Sequence, residues 1–536
     1  CGDIAMKPAR KHRVLMLCLA VLSCVVAFAN TGLPLVFERI IDALAASDSA
    51  WLKNLGFYLG IILVIIAAEL GRKLLSTAFR TGLLGHFRSR VTAYLLGAGY
   101  SEFSTMSPQE YLSVINNDLP AVVDDYYDNI NQIIFQIVSI AISTTALSFI
   151  YAPLAIIAVL SSVIITVIPF IFARSLGARK EQMLSSMAKY NVRMGDVIFG
   201  YAEIKINLMK NAVRAIAERS SSANRKKMSR YENLASLSEI VIAFVSFGSS
   251  FLILLFGGIQ VARSSMSIGE LTAAFQLSEA LVTPILGIAY SMNTAISMRR
   301  TMKNLSDKFT TQPEDAGIRP TDSLSSISYN NIGVKYGDET VLGGFNYTFE
   351  KGKKYLILGS NGSGKSTLIR MLVHGMELPN AEVSGSILLN GTDRREYSDE
   401  YLFSHVAVVQ QSPYLFSAST KENITCFRGG ELPSDVTETL DRLNAGTLKK
   451  AIAEDRILSD DSDALSGGER QKLALLRALM SRPEWMILDE STSAMDAQSR
   501  EFVEDMLLAD PNLTVLHVAH GVSEQTKAKY DRVVEL

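Results

Sequence analysis

Six apolar stretches constrain this chain more than any other feature. They run over Val14–Val36, Leu55–Leu75, Ile130–Ile150, Leu154–Ala173, Ile240–Val261 and Ile268–Ser291. Each has roughly the 20 residues that a helix needs to cross about 30 Å of hydrocarbon. Backbone N–H and C=O groups cannot stay unpaired in lipid, so each stretch must be helical. The third and fourth are separated only by the Tyr151-Ala152-Pro153 turn.

Basic residues set the orientation. Lys7, Arg10, Lys11 and Arg13 precede the first stretch, and the long connections 76–129 and 174–239 are rich in Lys and Arg. The short connections carry few. The positive-inside rule therefore places both termini and both long connections in the cytoplasm. Unstructured loops of that length are uncommon, and these read as helices. The spans are thus expected to continue beyond the bilayer as helical hairpins, with tips near Tyr111–Asp118 and Gly200–Asn207.

Polar residues inside spans mark either a pathway or interhelical hydrogen bonding. Thr272, Gln276, Glu279 and Thr283 share one stripe of the sixth span. Gln132, Gln136, Ser139 and Ser143 repeat that spacing in the third. With Glu69 and Glu239 they are candidates for lining a substrate cavity. Three pairs of carboxylates in a dimer hint at a cationic or amphipathic cargo.

The 536 residues divide in character, with a net charge of −2 that gives no global field for nucleic acid. Cys1, Cys18, Cys24 and Cys426 form no metal-like cluster. The reading is a membrane domain over 1–315, a polar linker over 316–325 and a turn-rich α/β domain over 326–536.

In that second domain, Tyr355–Leu372 reads YLILGSNGSGKSTLIRML. The order is strand, glycine-rich loop, helix. Gly359, Gly362 and Gly364 let the loop turn its N–H groups inward on a polyphosphate, aided by the helix dipole. Lys365 can reach the β- and γ-phosphates, and the Ser366 hydroxyl suits Mg²⁺. A second apolar strand, EWMILDE over 484–490, ends in two carboxylates. Asp489 is placed to hold Mg²⁺ through water, and Glu490 to polarise an attacking water. LSGGERQ at 465–471 is another anion-binding helix start. Two such helix ends in one small domain are most economically used by a dimer, each signature turn capping the partner's nucleotide.

These motifs together resemble an ATP-binding cassette (ABC) exporter of the half-transporter type, and the resemblance covers nearly all of the chain. It implies a six-helix membrane domain followed by an α/β P-loop NTPase domain. Gly359, Ser360, Asn361, Gly362, Ser363, Gly364, Lys365, Ser366 and Thr367 resemble its Walker A loop, and Ile487–Glu490 its Walker B strand. Ser466, Gly467, Gly468 and Glu469 resemble the signature, in a less usual form ending in Glu. Gln411 fits the Q-loop, with Gln410 the alternative. Ser493–Asp496 fits the D-loop, His520 the switch histidine, and Tyr336 the aromatic that stacks on adenine.

The resemblance implies ATP and Mg²⁺ as ligands, Lys365, Gln411, Glu490 and His520 in catalysis, and Ser366, Gln411 and Asp489 around the metal. It implies a homodimer in a bacterial inner (plasma) membrane, among lipids, exporting an amphipathic small molecule or peptide. A lipid or glycolipid flippase and an ATP-gated channel are the alternatives. The hairpin tips match the family's coupling helices. The segment ILSDDSDA before the signature departs from the family's glycine-containing pattern.

Overall fold

The computed structural model describes residues 8–98, 103–104, 106–309, 317–337, 339–360, 362–376, 378, 380–459, 465–520 and 522–536. Two compact units emerge. One comprises residues 1–92 and 111–311, the other 93–110 and 312–536.

The first unit is helical. Helices α1 (Arg10–Ala45), α2 (Ala50–Gly97), α3 (Asn129–Phe199), α4 (Tyr201–Ile206), α5 (Lys210–Ala262) and α6 (Ile268–Lys308) account for most of it. At 1.5 Å per residue, the 48 residues of α2 reach about twice the bilayer thickness. Helix α3 is broken at Tyr151 (φ −157°, ψ 103°), just before Pro153, so its 71 residues supply two spans, which makes six among the described residues. Large apolar side chains such as Phe28, Leu63, Phe244 and Phe247 stay exposed, as suits a surface solvated by lipid.

Within the bundle Leu147, Leu154, Ile253, Leu277 and Leu281 form a buried core. The start of α6 is fixed by a reciprocal cap between Ser267 and Glu270. Asp42 of α1 accepts from the Ser267 hydroxyl at 2.7 Å and from the Gly269 amide at 2.8 Å, tying the first span to the sixth. A Cβ at Gly269 would fall 2.5 Å from Asp42.

The second expected tip is where the sequence puts it. Helix α3 ends at Phe199, Gly200 turns, and α4 is a single short helix. The first is not. Helix α2 ends at Gly97, Phe103 is again helical, and a further helical run starts at Pro108. Residues 111–118 are instead helical, with π-helical turns over Val114–Asp118 and Val122–Asp128. The polar run Asn116-Asn117-Asp118 resembles a turn in sequence, but the Ser107/Glu110 hydrogen bonds had already started the helix.

The second unit carries two main sheets. Strands β1 (Ser326–Tyr336), β2 (Glu339–Glu350) and β4 (Glu382–Leu389) are antiparallel, in the order β2-β1-β4. Strands β3 (Lys354–Leu358), β5 (Val406–Val409), β6 (Trp485–Asp489), β7 (Thr514–Val518) and β8 (Arg532–Glu535) are parallel, in the order β8-β3-β7-β6-β5. Helix α7 (Lys365–Val373) buries Leu368, Ile369, Met371 and Leu372 in the same core as residues of both sheets. Val518 pairs with Ile357 on one side and Asp489 on the other. Three strands therefore end at one edge, where ligands of parallel α/β sheets bind.

Candidate active site

The loop after β3 is shaped by glycine. Gly362 (φ +83°) and Gly364 (φ +93°) occupy backbone conformations that side chains disfavour. A Cβ at Gly364 would lie 2.7 Å from Leu342, and one at Gly359 would lie 2.8 Å from the Leu536 carbonyl. Helix α7 then starts at Lys365, whose buried ammonium donates to the carbonyls of Gly359 at 2.9 Å and Ser360 at 2.8 Å. The Ser363 hydroxyl is buried with no hydrogen-bond partner among the described residues, an orphan that a phosphate oxygen would satisfy. Thr367 follows in the first turn of α7. Asn361 lies outside the described residues.

The neighbouring strand brings the carboxylates. Ser366 Oγ donates to Asp489 Oδ1 at 3.0 Å. Burial raises the Asp489 pKa, and the Ser366 hydrogen bond offsets part of that shift. A hydroxyl and a carboxylate held this close are a hard-oxygen pair that fits Mg²⁺. Glu490 turns off the strand with φ +49°, a left-handed conformation costly for a glutamate, and its N–H donates to the Val518 carbonyl at 3.1 Å. Its carboxylate accepts from Gln411 Nε2 at 3.0 Å and faces His520 Nε2 at 2.5 Å. Gln410 and Gln411 both line a cleft of about 510 Å³ with Ser366, Arg370, His374 and Asp489, and Gln411 makes the bond to Glu490.

Helix α8 (Gly467–Leu479) is capped by Ser466, which exchanges hydrogen bonds with Glu469. A Cβ at Gly468 would fall 2.5 Å from the Ala494 carbonyl, so this glycine permits close packing of the turn after Glu490. Tyr336 sits exposed at the end of β1.

A model of the ABC transporter transmembrane region matches residues 16–285, half of the chain, and a second model, of the ABC transporter, matches 342–493. The chain belongs to the ABC transporter family. Its relatives include the serine protease/ABC transporter B family protein tagA of Dictyostelium discoideum, 27% identical over 96% of this chain and 30% of that protein. The mycobactin import ATP-binding/permease protein IrtB of Mycolicibacterium thermoresistibile is 32% identical over 52% of this chain and 49% of its own. The ATP-dependent lipid A-core flippase of Escherichia coli is 25% identical over 84% and 78%. The chain thus spans under a third of the first of these and about half of the second.

Several residues to which the motifs assign no role hold these loops together. Gln471 donates to the Gln411 carbonyl at 3.4 Å and accepts from the Ala494 amide at 3.0 Å, joining the segment after β5 to the turn after Glu490. Arg500, on α9 (Ala497–Ala509), donates to the carbonyls of Thr492, Ser493 and Met495. Lys472 pairs with Asp496 at 2.7 Å and, with Ser499, holds its carboxyl well below the usual range. Gln471 stands two positions after the signature glutamate, and that proximity was the available signal.

The candidate cavity residues each have their own local surroundings. Glu69 forms a bidentate pair with Arg72 at 2.6 and 2.8 Å. Glu279 accepts from Ser250 of α5. Gln136 is packed so tightly on α6 that a Cβ at Gly287 would fall 2.2 Å from its amide nitrogen. Glu239 is exposed, and Gln132 and Gln276 are half-buried.

Proposed function

We propose that two copies of this chain form an ATP-driven exporter, with each nucleotide held between the phosphate loop of one copy and Ser466 of the other. The contact set Gln411–Glu490–His520, beside Ser366–Asp489, carries the hydrolytic half of this reading. Ser366 and Asp489, with Gln411, would hold Mg²⁺, which when bound neutralises phosphate charge. Lys365 clamps the phosphates by charge. Glu490, oriented by Gln411 and His520, takes the proton of the attacking water. His520 then senses the γ-phosphate. Because every motif is intact in one chain, two identical copies give two competent sites.

Closure of the nucleotide domains is relayed through the hairpin tips, turning an inward-facing cavity outward. The apolar surface of the second tip supports this: Phe199 is 92% and Leu208 89% exposed, positions where a docking surface is expected. Residues 1–315 form the membrane domain, 326–536 the ATPase, in a bacterial inner membrane.

The cargo is an amphipathic small molecule or peptide. A lipid substrate is the second reading, favoured by alignment of 84% of the chain with a lipid A-core flippase. Stimulation of ATPase activity in nanodiscs by candidate cargoes, with Glu490→Gln as control, tests the reading. Uphill accumulation in inverted vesicles supports an exporter, transbilayer movement of labelled lipid a flippase, and current without turnover a channel.

A further inference from the structure

The signature turn holds a negative charge where the proposed partner nucleotide must bind. Glu469 Oε2 accepts from the Ser466 amide at 3.1 Å and from the Ser466 hydroxyl at 3.2 Å, while the Glu469 amide donates back to Ser466 Oγ at 3.3 Å. Among the described residues the same reciprocal cap starts three other helices, through Ser107 with Glu110, Ser267 with Glu270 and Ser419 with Glu422. There it completes an ordinary helix terminus. Here, unlike at the other three, two glycines follow an exposed capping serine, and Gly467 is exposed as well. The hydroxyl proton and the positive end of the α8 dipole are what an incoming phosphate needs. The carboxylate already uses both.

We propose that Glu469 is a built-in competitor for the γ-phosphate, a positioning residue that raises the ATP concentration at which the two copies close. The inference rests on the reading that Ser466 caps the partner's nucleotide. For ATP to engage, the Glu469 side chain must release Ser466 and rotate away from the helix end, and like-charge repulsion opposes every step of the approach. A glutamine at this position keeps the acceptor oxygen for the Ser466 amide and hydroxyl but carries no charge. It therefore separates the competitor role from the capping role.

The experiment is ATPase kinetics of the full chain in nanodiscs for wild type, Glu469→Gln and Ser466→Ala, at low and high salt. Glu469→Gln is expected to lower the KM for ATP by roughly three- to tenfold, with the change in KM rather than kcat. The gap from wild type narrows at high salt, where charge is screened. An equal or higher KM in Glu469→Gln overturns the proposal and leaves an ordinary cap. If Glu469→Gln cannot be obtained folded, Glu469→Ala takes its place with the same criterion, and a KM that does not fall overturns the proposal. Ser466→Ala separates the two layers: full activity in that variant at low ATP rejects the trans-capping reading itself, whatever Glu469 does.

Discussion

His520 Nε2 stands 2.5 Å from Glu490 Oε1, and the two residues come from adjacent parallel strands that end at the same edge. The sheet register makes this contact, since Val518 is opposite Asp489 and each partner lies just beyond. Removing the carboxylate charge while keeping its shape should stop hydrolysis and spare binding. Glu490→Gln is expected to lower kcat by about 10²- to 10⁴-fold. Nucleotide should still raise the thermal midpoint of the variant.

The glycine loop gives a steric prediction. Alanine at Gly364 meets both an unfavourable φ of +93° and the Leu342 side chain at 2.7 Å. Gly364→Ala should cost about 1–3 kcal/mol at the loop and weaken ATP binding at least tenfold, read by isothermal titration. Gly375, also at positive φ but with nothing near its Cβ, serves as the control.

Gln471 joins two loops that both border Glu490. Gln471→Ala should uncouple them, lowering kcat several-fold with a small effect on ATP affinity. Steady-state kinetics checks this split. A large change in affinity with kcat intact would contradict the bridging role.

Protonation of His517 predicts a pH effect on stability. The residue is 2% exposed, its Nδ1 lies 2.6 Å from the Tyr530 hydroxyl, and burial with nearby Arg500 lowers its pKa to about 4. The folded state therefore resists a proton that the unfolded chain accepts near pH 6.5. Stability falls as pH drops from about 6.5 toward 4, by about 2 kcal/mol at pH 5 from this group. Denaturant titrations at pH 7 and pH 5 should show the loss, and His517→Gln should reduce it.

Legibility in the sequence followed locality. The six spans and the Tyr151 break are written in short windows, as is the strand–loop–helix at Tyr355–Leu372, and the structure has each. The expected tip at 111–118 is helical instead, in a run started by the Ser107-Pro108-Gln109-Glu110 cap signal just upstream. Contacts between distant segments were not legible. The Gln471 bridge spans 60 residues to Gln411, and Asp42 reaches across more than 220 residues to Ser267 and Gly269. Glu69 and Arg72 share a helix face three residues apart, but their mutual pairing depends on side-chain rotamers that a spacing pattern does not fix.

The central claim, that each nucleotide site is shared between two copies, is tested most directly by mixed dimers purified through two different tags. One dimer pairs a Lys365→Ala copy with a Ser466→Ala copy. The other pairs a copy carrying both substitutions with a wild-type copy. If sites are shared, the first places both lesions in one site and leaves the other intact, while the second damages both. The ATPase rate of the first should therefore clearly exceed that of the second. The reverse order would show that Lys365 and Ser466 of one chain serve the same nucleotide, and would contradict the account.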